Sequence, residues 1–278
     1  MKVKKYVLII AAVIALAAAA LSSCQPSGPV AKSGKIVAKN VEGLEKTQYV
    51  MCVGKNAPKG QELIASLNKV IKATDMKALT DNYLDTTVRR IDDPAEKYDL
   101  SGADTTIDVY TTVIEPYQFS GAYGNGVDGI DVILLFDMAH DLNVKLTFHD
   151  ELFQSAYSGA KAGGNTILAA GIALTDQVKQ DFLVTDVYSE GYQQIVSDQN
   201  EGFTKLSQLK GLKIGVLDGR PGYDAVKKAI ESGELKGTGA EMVVYNTDAE
   251  AGFGYKNEMC DVLVLDELSA TMIVKRWK

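Results

Sequence analysis

Ile107-Asp108-Val109-Tyr110-Thr111-Thr112-Val113 reads as a strand, and the segments that follow it decide the fold. Ile130, Ile133, Leu134, Met138 and Leu142 recur at helical spacing, and Lys145 to Phe148 reads as the next strand. Thr166 to Ala170, Lys213 to Leu217, Met242 to Tyr245 and Val262 to Leu265 continue the series, with Ala225, Val226, Ala229 and Ile230 striping a helix between two of them. Such alternation predicts an α/β architecture of parallel sheets with helices on both faces. A separate unit precedes it: Tyr49 to Val53 is a short apolar strand, Leu63, Ile64, Leu67, Val70 and Ile71 stripe one helix, and Met76, Leu79 and Tyr83 a second. Thr86 to Asp104, with Arg89, Arg90, Asp92, Asp93, Pro94 and Glu96, reads as a polar connector, and no segment repeats at a fixed period.

Composition narrows the function. The 278 residues are 46% hydrophobic and 23% charged, enough to bury one large core or two medium ones. Twenty-nine basic residues against 36 acidic ones give −7. Removal of an N-terminal segment with three lysines would leave 26 against 36, or −10, which excludes a basic nucleic-acid footprint. Two histidines and three scattered cysteines lack the spacing of a zinc site, and no cofactor is expected. His140 and His149 are assigned no chemistry.

Lys2, Lys4 and Lys5 open the chain, Tyr6 to Ala20 is apolar, and Leu21-Ser22-Ser23-Cys24 follows, the grammar of an export signal. About fifteen apolar residues fall short of the roughly 20 that a bilayer core requires. Leu21 to Cys24 resembles the bacterial lipobox, which implies acylation of Cys24 and a membrane attachment through lipid outside the cytoplasm. Gln25-Pro26-Ser27-Gly28-Pro29 reads as a tether. Export permits a Cys52–Cys260 disulfide, although buried thiols are commoner beside apolar strands.

Five further motifs run in series from Ile107 onward: Glu115-Pro116-Tyr117-Gln118-Phe119, Val127-Asp128-Gly129-Ile130-Asp131-Val132, Gly171-Ile172-Ala173-Leu174-Thr175, Leu206-Ser207-Gln208-Leu209-Lys210-Gly211-Leu212-Lys213-Ile214-Gly215-Val216, and Asp261 to Asp266. In that order the chain resembles the amino-acid-type extracellular solute-binding proteins, the type II periplasmic clamshell receptors of ABC importers, the first three motifs carrying the first lobe's likeness and the last two the second's.

Members of that family continue well past the last aspartate, whereas only Glu267 to Lys278 remain here. Tyr49 to Lys55, Glu62 to Val70 and Leu79 to Leu84 instead look like the family's C-terminal segment. The resemblance therefore implies a circularly permuted gene in which Thr86 to Asp104 joins the usual ends, a change that compact domains with adjacent termini tolerate. The expected organisation is a lipoprotein signal over 1–23, a tether over 24–46, lobe one with the first hinge strand over 47–190, and lobe two over 191–278. Hinge strands are expected near Tyr49 to Val53 and Thr185 to Ile195.

A zwitterion held between lobes needs a cation for its carboxylate, a carboxylate for its amine and an apolar wall. The resemblance places Tyr117, Phe153, Gly171, Ala173, Thr175 and Asp266 at ligand-facing positions. Ile114 stands where the family has a stacking aromatic, and Val178 where it has the carboxylate-binding arginine. Arg220, in Asp218-Gly219-Arg220-Pro221-Gly222, is either a replacement for that arginine or a solvated loop residue. Asp266 is otherwise a helix cap, and Tyr188 a hinge packing residue. Gly124-x-Gly126-x-x-Gly129 with Asp150 downstream matches a dinucleotide fingerprint in spacing, but Pro116 and Ser120 to Tyr123 interrupt the strand that should lead into it.

The implied function is a monomeric receptor, not an enzyme, that hands an amino-acid-like solute to an ABC permease. A cyclohexadienyl-dehydratase-like lyase needs a general acid, for which Glu115, Asp218 and Asp266 are the evident carboxylates. A sensory lipoprotein with a degenerate cleft is the third alternative.

Overall fold

Strand β2 (Thr47–Gly54) lies between two partners in the middle of a sheet, and its last six residues are buried, which is why it reads as a continuous apolar run. The computed structural model describes residues 34–86, 97–120 and 126–277. The signal segment, Cys24, the first part of the tether, the connector charges Arg89 to Glu96 and Gly124 lie outside them.

In chain order the strands are β1 (Ile36–Asn40), β2, β3 (Thr105–Thr111), β4 (Phe119–Ser120), β5 (Val127–Asp128), β6 (Val144–Asp150), β7 (Thr166–Ala173), β8 (Phe182–Val184), β9 (Ser189–Gly191), β10 (Gln193–Asp198), β11 (Lys213–Leu217), β12 (Glu241–Tyr245) and β13 (Val262–Asp266). The helices are α1 (Gly60–Ala73), α2 (Met76–Leu84), α3 (Ile130–Leu142), α4 (Phe153–Lys161), α5 (Asp176–Asp181), α6 (Pro221–Glu231), α7 (Asp248–Lys256) and α8 (Glu267–Arg276).

Two large sheets result. One has the order β6-β3-β7-β2-β8 with β9 also on β2, and the other β1-β10-β13-β11-β12. The expected parallel pairing holds for β3 with β6 and β7, and for β11 with β12 and β13. Strands β2 and β10 run antiparallel to their neighbours, so both sheets are mixed. The described chain passes between the sheets twice: at 41–46, ahead of the expected hinge at Tyr49 to Val53, which instead lies within β2, and at 191–193, inside the stretch expected at Thr185 to Ile195.

The N-terminal unit does not stand apart. Leu63, Leu67, Val70 and Ile71 of α1 are buried in the same cluster as Leu134, Leu135 and Met138 of α3. Tyr83 of α2 donates to Asp128 beside the start of α3. Nor does the tether run to residue 46: β1 pairs with β10 over Ile36 to Asn40, and Val41 packs with Ile195, Leu206 and Val264. A few β-branched residues next to an unpaired β10 edge suffice to order that stretch.

Residues 97–104 of the connector are anchored as well, with Tyr98 stacked on His140 at 4.4 Å and Ala103 buried. Cys52 is buried in one sheet and Cys260 just ahead of β13 in the other. Gly129 follows the antiparallel β4–β5 pair rather than a parallel strand, so the glycine spacing lacks a dinucleotide site's strand-turn-helix setting. Among the described residues no helix is long and apolar enough to cross a membrane, and no group of three or more His, Cys, Asp or Glu is placed to hold a metal.

Candidate functional site

The end of β7 departs from ordinary strand geometry. Ala170 has φ +91° and Gly171 φ +62°, and a non-glycine residue in that region costs about 1–3 kcal/mol and persists only where its surroundings hold it there. Two buried charges do so. Asp131, at the start of α3, accepts from the amides of Ala170 at 2.8 Å and Gly171 at 3.0 Å. On the carbonyl side, Nη1 of Arg220 donates to Ala170 O at 3.0 Å and to Gly171 O.

Arg220 is the residue before α6 and is only 2% exposed. Its Nε donates to Asp266 Oδ2 at 2.6 Å, and Nη2 forms an ion pair with the same oxygen. The guanidinium carbon lies 5.5 Å from the Tyr49 ring centre and 5.9 Å from that of Tyr117, within cation–π range. Asp266, 1% exposed at the end of β13, also accepts from the Tyr49 hydroxyl and from Gln193 Nε2 at 2.7 Å. Removing either partner of such a pair costs about 3–5 kcal/mol, because the other charge stays buried alone.

Electrostatics follows burial. Burial pushes the Asp131 carboxyl up to about 6 against its bonds from Tyr188 and the two amides. Burial would lower Arg220, but Asp266 and the two tyrosines outweigh it and the guanidinium titrates above its ordinary value. The Tyr49 and Tyr117 hydroxyls are raised by burial and by Asp266.

Beside this cluster an open pocket of about 640 Å³ lies between the sheets, within the roughly 300–1,000 Å³ of small-molecule sites. Phe153, Tyr157, Ala173, Thr175 and Val178 line it from one side, and Asp218, Gly219, Tyr223, Asp224 and Lys227 from the other. Gly219 has φ +69°, and a Cβ there would fall 2.0 Å from the Phe153 ring, so only glycine lets the two sides approach. Thr175 Oγ1 caps α5 by accepting from Val178 N. Lys161, Gln177 and Tyr157 hold the Asp181 carboxyl down at about 2.

The residues singled out from sequence divide into three groups. Tyr117, Gly171, Arg220 and Asp266 meet in the buried cluster, while Phe153, Ala173 and Thr175 line the pocket. Ile114 lies in the hydrophobic core. Arg220 is not a solvated loop residue, because its charge is spent on Asp266 and two carbonyls. Sequence reasoning missed Tyr49, Gln193 and Asp131 as partners. Asp131 was inside a quoted motif, whereas Tyr49 and Gln193 reach Asp266 across 217 and 73 residues with no local signal.

Two mixed sheets joined by two crossings, with a cleft between them, define a type II periplasmic-binding-protein fold. The family model described as bacterial extracellular solute-binding proteins, family 3, matches residues 108–249, and the chain belongs to that family. It is similar to a "Probable histidine-binding protein" of Neisseria gonorrhoeae, 29% identical over 116 residues, 41% of this chain and 43% of that one. It is also 28% identical over 95 residues to the "Putative ABC transporter arginine-binding protein 2" of Escherichia coli K12, covering 34% of this chain and 39% of that one. The chain thus spans about two fifths of the length of the curated relatives it matches. Among solved structures, an ancestral arginine-binding protein bound to arginine superposes with TM-score 0.52 at 27% identity, over 62% of this chain and 74% of that one.

Proposed function

We propose that this chain is the extracytoplasmic receptor of an ABC importer, a monomer that captures a small amino-acid-like solute in the cleft between its sheets without turning it over. The observation that carries the reading is the 640 Å³ pocket walled from both sides by Phe153, Tyr157 and Tyr223, with polar groups at Thr175, Asp218 and Asp224. A solute there touches both halves, so binding favours closure, the form a permease recognises. The relatives named for histidine and arginine support the amino-acid class.

Acylation at Cys24 would tether the receptor to the membrane. Circular permutation accounts for β2, α1 and α2 completing the β3 sheet from the N-terminal side. It also fits an alignment that leaves about a quarter of the arginine-bound neighbour unmatched.

Isothermal titration and thermal-shift screening of the purified chain against amino acids, amines and aromatic acids tests the receptor. Saturable binding with the compound recovered unchanged is the expected result. Silence across the set, or conversion of a compound, rejects it.

A further inference from the structure

We propose that Arg220 is the cleft's built-in ligand: its guanidinium fills a cation cage made by Asp266, the Ala170 and Gly171 carbonyls and the Tyr49 and Tyr117 rings, bridging the two sheets with no solute between them. The proposal takes from the receptor reading only that the two halves can part.

The guanidinium's partners named above are a carboxylate, two carbonyls and two ring faces. The carboxylate comes from β13 in one sheet. The two carbonyls come from β7 in the other, and the rings from β2 and the segment after β3. That is the chemistry of a site for a guanidinium or a primary ammonium. Positive φ at both Ala170 and Gly171 turns two successive carbonyls toward the same cation, and Asp131 fixes their amides from behind. The occupant is therefore held by a built site, not by chance contact.

Occupation has consequences for what the cleft takes. Arg220 donates through Nε and Nη1 to acceptors of its own chain, its Nη2 is ion-paired with Asp266, and the group is almost wholly out of solvent, so its charge is already neutralised by Asp266 rather than presented to a solute carboxylate. A solute that engages Asp266 must carry a cation that displaces Arg220. A solute that does not displace it is confined to the pocket beside the cage, where Gly219 and Pro221 flank Arg220 on both sides in sequence.

Glu115 supplies an independent contact between the same halves. Its amide donates to Asp248 at 2.7 Å, Ser269 donates to its carbonyl at 3.0 Å, and its carboxylate pairs with Arg276. Glu115→Ala keeps the two backbone contacts and removes the ion pair with Arg276, so it serves as a control that deletes a charge contact between the halves without emptying the cage.

The test combines small-angle scattering of the ligand-free chain with thermal-shift titration of methylguanidinium. Ligand-free wild type is expected to scatter as the closed form and to ignore methylguanidinium. Arg220→Ala is expected to expand, and methylguanidinium is expected to raise its thermal midpoint saturably and restore the compact form, whereas Glu115→Ala gains no such response. Where Arg220→Ala does not fold, Arg220→Met, which keeps the packing of the stem and removes the head, carries the same expectation. An open wild type without solute overturns the proposal, as does a folded Arg220→Ala or Arg220→Met that does not respond to methylguanidinium. A wild type that binds no amino acid while Arg220→Ala takes up methylguanidinium refutes the receptor and leaves the cage standing.

Discussion

At the residue scale, the two peptides of Ala170 and Gly171 are gripped from opposite sides, by the carboxylate of Asp131 and the guanidinium of Arg220. A second buried carboxylate, Asp248 at the start of α7, has a cleaner consequence for pH. Burial pushes it from the ordinary 3.8 up to about 7, against the nearby Ser269 hydroxyl and the bond from the Glu115 amide. A folded-state value above the unfolded one means that the folded chain holds a proton the unfolded chain releases. This contribution is fully present below about pH 4 and is lost as pH rises through 7. Asp248→Asn mimics the protonated form and keeps an acceptor for Glu115 N. Its stability relative to wild type should grow between pH 4 and 7, by on the order of 4 kcal/mol at most. Urea titrations across that range check it, and a parallel pH dependence in both proteins would count against a protonated Asp248. In the pocket, Phe153→Ala should weaken the bound solute by about tenfold or more, or roughly 1.4 kcal/mol, while leaving the unfolding midpoint nearly unchanged because the ring is only half-buried. Calorimetry with the solute found in screening measures the first effect and circular dichroism the second.

At the element scale, legibility tracked where each strand's stabilisation comes from. Strands β2, β7, β11 and β13 are buried along most of their length, so their apolar runs announced them. Helices α1 and α3 were equally plain, the former because one stripe of an amphipathic surface meets the core. Strands β1 and β8 were not read as elements, and β9 and β10 only as one hinge strand near Thr185 to Ile195. Ser189-Glu190-Gly191 and Gln193-Gln194 carry no apolar period, and these segments become strands by lying along β2, β13 and β1. The site was half legible for the same reason: Asp266, Gly171 and Phe153 sit in local motifs, but that Arg220 closes on Asp266 is a contact across 46 residues and two elements. Leu67→Ala tests whether α1 belongs to the main body. Leu67 is fully buried in the cluster shared with α3, so truncation should cost about 2–5 kcal/mol in the single unfolding transition. A separate early transition with an unchanged main midpoint would instead mean that α1 and α2 unfold on their own.

At the scale of the whole molecule, the proposed permutation makes a geometric demand. Strand β10 lies between β1 and β13 and is antiparallel to both, so β13 and β1 run in the same direction. Helix α8 follows β13 and packs on β13, β10 and β1. Its C-terminal end is therefore brought back toward the end of the sheet at which β1 begins. The three segments already have the geometry of a strand-helix-strand crossover that lacks only a loop. A chain that starts at Lys97, so that the anchored Tyr98 and Ala103 are kept, runs through Trp277, crosses a short Gly/Ser linker to Gly34 and ends at Asp85 would replace residues 86–96 with new termini. It should fold to the same near- and far-ultraviolet dichroism, unfold in one transition close to the wild-type midpoint, and bind the same solute with the same affinity. The change costs a loop closure in one place and releases one in another, and these nearly cancel because closure entropy grows only with the logarithm of loop length. If the rejoined chain loses cooperative unfolding while retaining helical dichroism, the order β1, β2, α1, α2 ahead of β3 is a requirement of this fold and not a rearrangement of its family's.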